Sequence, residues 1–153
     1  MNAAKILLAL GAFALLAGCG RPIAESDAQP DVESAVLAPL EADDAAGLEG
    51  ELGCAFHAEQ GVLMLGRANV GPAEHAFAAV RHDGQALTLE SRESGGFGAM
   101  ERGMIFSNGP LTARVELGPA REMANEQVSH DATLVVSHAL DERAYEGAWT
   151  CGP

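Results

Sequence analysis

Apolar and polar residues alternate over short segments from residue 53 to the C-terminus, and turn residues separate these segments. The clearest segment is Leu111–Leu117, in which Thr112, Arg114 and Glu116 occupy every second position. A period of two residues is typical of a strand that buries one face and exposes the other. The same pattern predicts strands over 54–57, 62–67, 76–82, 85–92, 104–107, 132–138 and 143–151.

Two turns between these strands carry a strong hairpin signal. Asp83-Gly84 and Asn108-Gly109 each lie between two predicted strands, and Asp-Gly and Asn-Gly favour the tight turns that join antiparallel strands. Seven or eight hairpin-connected strands in about 100 residues predict an all-β fold, either a small antiparallel barrel or a sandwich. One short helix is expected over 119–128, because Pro119 suits the first position of a helix.

The segment before these strands has a different composition. Between Gly20 and Glu51, nine acidic residues accompany a single base, Arg21, and the segment contains three prolines and no aromatic residue. Such a segment buries too little apolar surface to offset the entropy lost on ordering. We therefore expect residues 19–52 to form a disordered acidic tether and residues 53–153 to form the folded domain.

The start of the chain has the features of a secretory signal. Lys5 precedes an apolar run from Ile6 to Ala17, and small residues follow it. As a helix this run would be about 18 Å long, which is too short to cross a hydrocarbon core of roughly 30 Å.

The residues that end this run, Leu16-Ala17-Gly18-Cys19, resemble the lipobox of bacterial lipoprotein precursors. The resemblance implies that residues 1–18 are removed as a signal peptide and that Cys19 becomes a lipid-modified N-terminus. Gly20 occupies the position where an Asp would signal retention in the inner membrane of Gram-negative bacteria. The resemblance therefore implies an outer-membrane lipoprotein that faces the periplasm.

Two further cysteines, Cys54 and Cys151, stand near the two ends of the strand-rich region. Cys54 has the parity of Phe56 in its strand, and Cys151 has the parity of Trp149. In an exported protein two such cysteines predict a disulfide bond, and two buried free thiols are the alternative. A bond between them would fix the first strand beside the last and close the sheet.

The charge of the chain restricts its partners. The formal net charge is -13, and once the signal peptide is removed no lysine remains. A nucleic-acid-binding protein needs a basic surface to displace the counterions of phosphate groups, so nucleic acid is excluded as a partner. The same charge opposes adhesion to anionic lipid. The lipid on Cys19 must therefore hold the protein at the membrane.

No cluster in the sequence has the spacing of a catalytic, cofactor or metal site. Ser129-His130-Asp131 are consecutive and project in different directions, and the five histidines lack the pair spacing of zinc ligands. Acidic residues at 90, 93 and 101 could supply a glycosidase pair, which keeps an envelope hydrolase as an alternative. We predict a protein without catalytic residues, cofactor or metal.

The glycine-rich stretch Ser94-Gly95-Gly96-Phe97 is the candidate binding loop. The layout of lipobox, tether, small β domain and terminal cysteines is similar to that of the membrane-bound inhibitors of C-type lysozyme. In that family a loop containing Ser-Gly, followed by a basic and aromatic pair, plugs the cleft of the enzyme. Here Ser94-Gly95 would supply this loop, but Gly96 and Phe97 replace the pair.

Two binding functions follow. The first is a lipid-anchored envelope protein whose β domain binds a protein or an envelope component without catalysing a reaction. The alternative is a periplasmic inhibitor of host C-type lysozyme. The sequence leaves the partner and the oligomeric state open.

Overall fold

The computed structural model describes residues 34–121 and 127–153. Within these residues the chain forms antiparallel strands and one short helix. In chain order they are β1 (Leu37–Ala38), β2 (Leu52–Ala58), β3 (Gly61–Ala68), β4 (Ala76–His82), β5 (Gln85–Ser91), α1 (Gly96–Met100), β6 (Ile105–Ser107), β7 (Leu111–Arg121), β8 (Val128–His138) and β9 (Asp141–Gly152).

The strands close into a barrel. They pair in the order β4-β3-β2-β9-β8-β7-β6-β5, and β5 pairs back onto β4. The predicted all-β fold is confirmed, and the closure selects a barrel over a sandwich. We call the end that carries the turns at 59–60, 83–84, 108–110 and 139–140 the lower end, and the end that carries α1 the upper end.

Side chains fill the interior of the barrel. Alternate residues of each strand point inward, as the period of two predicts, and the largest of them are less than 2% exposed. These side chains pack closely, so the interior of the barrel is a hydrophobic core and not a ligand-binding cavity. The fully buried set comprises Trp149, Phe56, Phe106, Leu63, Met64, Leu89, Met100, Leu111, Leu134, Val80 and Val136.

The predicted disulfide bond is present between Cys54 and Cys151. The two residues lie opposite each other in the register of β2 and β9, beside the pair Phe56 and Trp149. Both cysteines are buried, and 97 positions separate them in the sequence. The bond therefore joins the first long strand of the barrel to the last.

The predicted helix over 119–128 is wrong where the structure describes those residues. β7 continues to Arg121, and β8 begins at Val128. Ala120 pairs with His130 and Arg121 pairs with Ser129 after a register shift that follows Leu117. Pro119 lies within this irregularity, where its missing N–H is tolerated. Because the pairing resumes at Ala120, the hairpin of β7 and β8 continues to Arg121 instead of becoming helical.

Much of the predicted tether is folded. Residues 34–51, which we call the strap, run along the barrel from its lower end to its upper end. Ala35 and Leu37 are buried in the core, and Arg81 on the outer face of β4 pairs with Glu41 and Asp44. The expectation of disorder is wrong for residues 34–52, because two apolar side chains and one arginine hold an otherwise acidic segment. The remainder of the tether, Cys19 and the signal peptide lie outside the described residues.

β1 gives the strap its place in the barrel. Leu37 and Ala38 pair with His82 and Arg81 at the end of β4, and the Leu40 N–H donates to the Val62 carbonyl of β3 at 2.8 Å. β3 pairs with β4 only from Met64 to Ala68. β1 therefore fills the gap where β3 and β4 separate at the lower end.

We expect the paired substitution Cys54→Ala with Cys151→Ala to lower the free energy of unfolding by about 2–5 kcal/mol, because the bond closes a loop of 97 residues. Urea unfolding followed by tryptophan fluorescence measures the change, since Trp149 neighbours the bond. Wild-type protein unfolded in a reducing agent is the control and should match the variant. An unchanged midpoint in both would contradict the prediction.

Candidate functional site

The strap closes the lower end of the barrel through side chains of β9. The Ala35 N–H donates to the Asp141 carboxylate, and the Leu37 N–H donates to the Tyr145 hydroxyl, each at 2.8 Å. The Tyr145 hydroxyl in turn donates to the Ala35 carbonyl at 3.4 Å. These bonds fix the point at which the chain enters the barrel.

Two histidines meet beneath the strap. His82 ends β4 and is 6% exposed, and its Nε2–H donates to the Ser34 carbonyl. The His138 ring lies edge-on to the His82 ring, with their centroids 4.9 Å apart. The His138 Nδ1 is buried and has no hydrogen-bond partner among the described residues. His82 therefore holds the start of the strap, and His138 packs against the His82 ring.

Sequence reasoning missed this pair, although a signal was present. His82 has the parity of Ala78 and Val80, and His138 has the parity of Leu134 and Val136, so both point inward at a strand end. Within residues 34–121 and 127–153, no three His, Cys, Asp or Glu side chains come close enough to hold a metal ion. The contact of His82 with Ser34 and the packing of His138 against His82 place both histidines at the closed lower end.

The candidate binding loop lies at the upper end and is held by backbone hydrogen bonds. The N–H groups of Gly95 and Gly96 both donate to the Glu74 carbonyl at 2.9 Å, and the Phe97 N–H donates to the Asn69 carbonyl at 2.9 Å. Ser94 is exposed, whereas Phe97 packs partly against the core. Ser94 is therefore the one exposed residue of the four.

Gly96 is fixed by both its conformation and its surroundings. Its φ is 52°, and a Cβ there would lie 2.3 Å from the Asn69 carbonyl oxygen. It begins α1, whose last residue, Met100, accepts a hydrogen bond from the Trp149 indole N–H at 3.0 Å. The glycine pair thus lets α1 cover the upper end of the core.

The surface of the upper end carries a shallow depression beside this loop. Its volume is about 340 Å³, and its lining combines Val70, Pro72, Gly95 and Gly98 with a single cation, Arg102. Val70 is 73% exposed. The lining of the depression is therefore mainly apolar around one arginine.

The other candidate residues of the sequence do not converge. The hydroxyl groups of Ser129 and Thr150 share a hydrogen bond on the outer face of β8 and β9. On the same face the Asp131 carboxylate accepts a hydrogen bond from Arg121. His130 lies between them on the opposite face, with its ring nitrogen near the Gly118 carbonyl. Alternation along β8 therefore separates the three side chains of the apparent triad.

The acidic candidates for a hydrolase lie on different elements. Glu90 is on the outer face of β5, 3.5 Å from the His75 ring nitrogen. Glu93 follows β5, and Glu101 follows α1.

No helix among the described residues has the length and apolarity needed to cross a membrane.

We expect Gly96→Ala to destabilise the barrel by at least about 2 kcal/mol, because a side chain at this positive φ is strained and its Cβ would overlap the Asn69 carbonyl. The melting temperature should fall by on the order of 10 °C. Gly98→Ala is the matched control: its Cβ would meet nothing closer than 3.8 Å, and alanine favours the helix. Equal melting temperatures for the two variants would contradict this assignment.

Comparison of the chain with protein-family models, with curated proteins and with solved structures finds no match.

Proposed function

We propose that the protein is a lipid-anchored lipoprotein of the bacterial envelope, held in the outer membrane on its periplasmic side. Its barrel binds a protein or another envelope component and catalyses no reaction. The observation that carries the proposal is the sequence Leu16-Ala17-Gly18-Cys19 at the end of a short apolar run. Two or more acyl chains on Cys19 would make the attachment stable.

The position of the strap supports an oriented barrel. The first described residue, Ser34, lies at the lower end beside His82. A lipid on Cys19 would therefore pull on the lower end, and the upper end with Ser94 and Val70 would face away from the membrane. This orientation leaves the upper end and the side of the barrel accessible to partners.

The filled core favours binding at the surface. Trp149, Phe56 and Phe106 occupy the interior that would hold a small ligand in a wider barrel. The depressions at the upper end and over the outer face of β2, β3 and β9 are shallow, with volumes of about 340 and 230 Å³. Shapes of this kind suit contact with a macromolecule.

We expect the lipid on Cys19 to place the protein in the detergent phase of a Triton X-114 partition. Cys19→Ser should move it to the aqueous phase and remove the acyl mass from the mature N-terminus, because the thiol that carries the lipid is gone. The variant Cys54→Ser with Cys151→Ser is the matched control and should remain in the detergent phase. An unacylated wild-type N-terminus would refute the proposal.

The lysozyme inhibitor is a second candidate, which the exposure of Ser94 at the outward end favours. The acidic protein would also attract a basic lysozyme. This candidate predicts that micromolar protein protects bacterial cell walls from a C-type lysozyme in a clearing assay. Ser94→Trp should abolish the protection, and Gln60→Trp at the lower end should preserve it. Absence of protection by the wild-type protein would end this candidate.

A further inference from the structure

The barrel has an incomplete seam between β5 and β6. β5 pairs with β4 from Gln85 to Glu90. On its other side it pairs with β6 only at Glu90 and Ser91. The segment Gln85–Leu89, which we call the β5 edge, therefore has no paired strand on that side among residues 34–121 and 127–153.

The turn geometry identifies the backbone groups that face this seam. Asp83 and Gly84 both have positive φ, 49° and 74°, and they form a two-residue hairpin. In such a hairpin the flanking pair, here His82 and Gln85, exchanges both of its backbone hydrogen bonds. Ala86 and Thr88 consequently direct their N–H and C=O groups away from β4 and into the seam.

The closed part of the seam confirms this parity. Glu90 has the same parity as Ala86 and Thr88, and it pairs with Ser107 of β6. Arg92 follows the same series, and its N–H donates to the Ile105 carbonyl at 2.9 Å. β6 ends at Ser107, where the chain turns into β7, so no strand in the described part of the chain pairs with this series from Thr88 downward.

The β5 edge itself contains no charged residue, proline or bulge. Proteins protect open edges with charged residues, proline or bulges. The open edge of β7 above the barrel contains Pro119 and a register shift. Gln85–Leu89 contains no charge and no proline, and it pairs with β4 without interruption. This edge is therefore competent to accept another strand.

The surrounding side chains indicate the chemistry of the added strand. Asp83 and Glu90 stand at the two ends of the β5 edge, and their side chains are 70% and 57% exposed. Leu87 points inward and is only partly buried, so an adjacent strand with alternating apolar residues would extend the core. The chain carries a net charge of -13, and electrostatic repulsion therefore disfavours a second copy.

We propose that the β5 edge is a docking site for an extended segment of a partner protein, with alternating apolar residues and Lys or Arg at its ends. The segment adds to the barrel as a further strand, bonded to Ala86 and Thr88. This inference rests on the proposed function of the barrel as a binding module and names the class of its partner.

The experiment uses residues 19–153 with Cys19→Ser, which separates docking from lipidation. Two blocked peptides of matched length, RTVTVR and ETVTVE, are titrated while backbone amides are followed by NMR. We expect the basic peptide to shift the Ala86 and Thr88 amides and to slow their hydrogen exchange. The acidic peptide should bind at least tenfold more weakly.

Two substitutions test the geometry. Thr88→Pro removes the N–H that faces the seam and should weaken the basic peptide at least tenfold, whereas Thr88→Ala keeps that N–H and should bind as the parent does. Ala86→Lys places a cation on the edge, leaves its backbone donors in place, and should also weaken the basic peptide. This second variant provides the test should Thr88→Pro not fold.

Other results would overturn the proposal. They are equal binding of both peptides, no binding of either, or shifts centred away from the β5 edge. Ala86 and Thr88 amides that are protected without peptide, and become unprotected when residues 20–33 are removed, would assign the edge to the chain's own N-terminal segment. Protection that grows with protein concentration would assign it to a second copy. Loss of acylation would refute the anchor and leave the peptide result unchanged.

Discussion

β4 is hydrogen bonded on both of its sides, to β3 and to β5, and this double pairing turns an open sheet into a barrel with one interior. Once β4 closes the sheet, Trp149, Phe56 and Phe106 can be surrounded on every side. The outer face of the same strand carries Arg81, which binds the strap. The core, the lower end and the path of the N-terminal segment thus all depend on the position of β4.

The fold was predictable because its determinants are local. Period-two alternation and the Asp83-Gly84 turn specify strands and a hairpin, and both appear as expected. The strap was not predictable from composition, since its order depends on contacts with residues far along the chain, such as Tyr145 and Asp141. The helix expected at Pro119 failed for a similar reason, because pairing of Ala120 with His130 outweighs a local preference.

Some of the candidate site residues are likewise predictable from the sequence, and others are not. The pairing of Cys54 with Cys151 is predictable because each cysteine has the parity of an inward-facing aromatic residue in its strand. The register of β2 and β9 then places the two cysteines opposite each other. The sequence predicts that the glycine pair at 95–96 belongs to a binding loop, yet the backbone of these residues is hydrogen bonded in closing the upper end. The β5 edge was invisible in the sequence because nothing in Gln85–Leu89 reveals that β6 stops after three residues. The gap between β5 and β6 depends on the lengths and register of both strands, so it can be recognised only in the folded structure.

The ordered strap also changes how far the domain can travel. If Cys19 is held in lipid, about 15 residues connect it to Ser34, and a fully extended chain of that length spans roughly 50 Å. A disordered segment up to residue 52 would have reached about twice as far. With that attachment the lower end, including the hairpin of β4 and β5, would stay within roughly 50 Å of the bilayer. A partner segment that docks on the β5 edge would then have to reach into that zone next to the membrane.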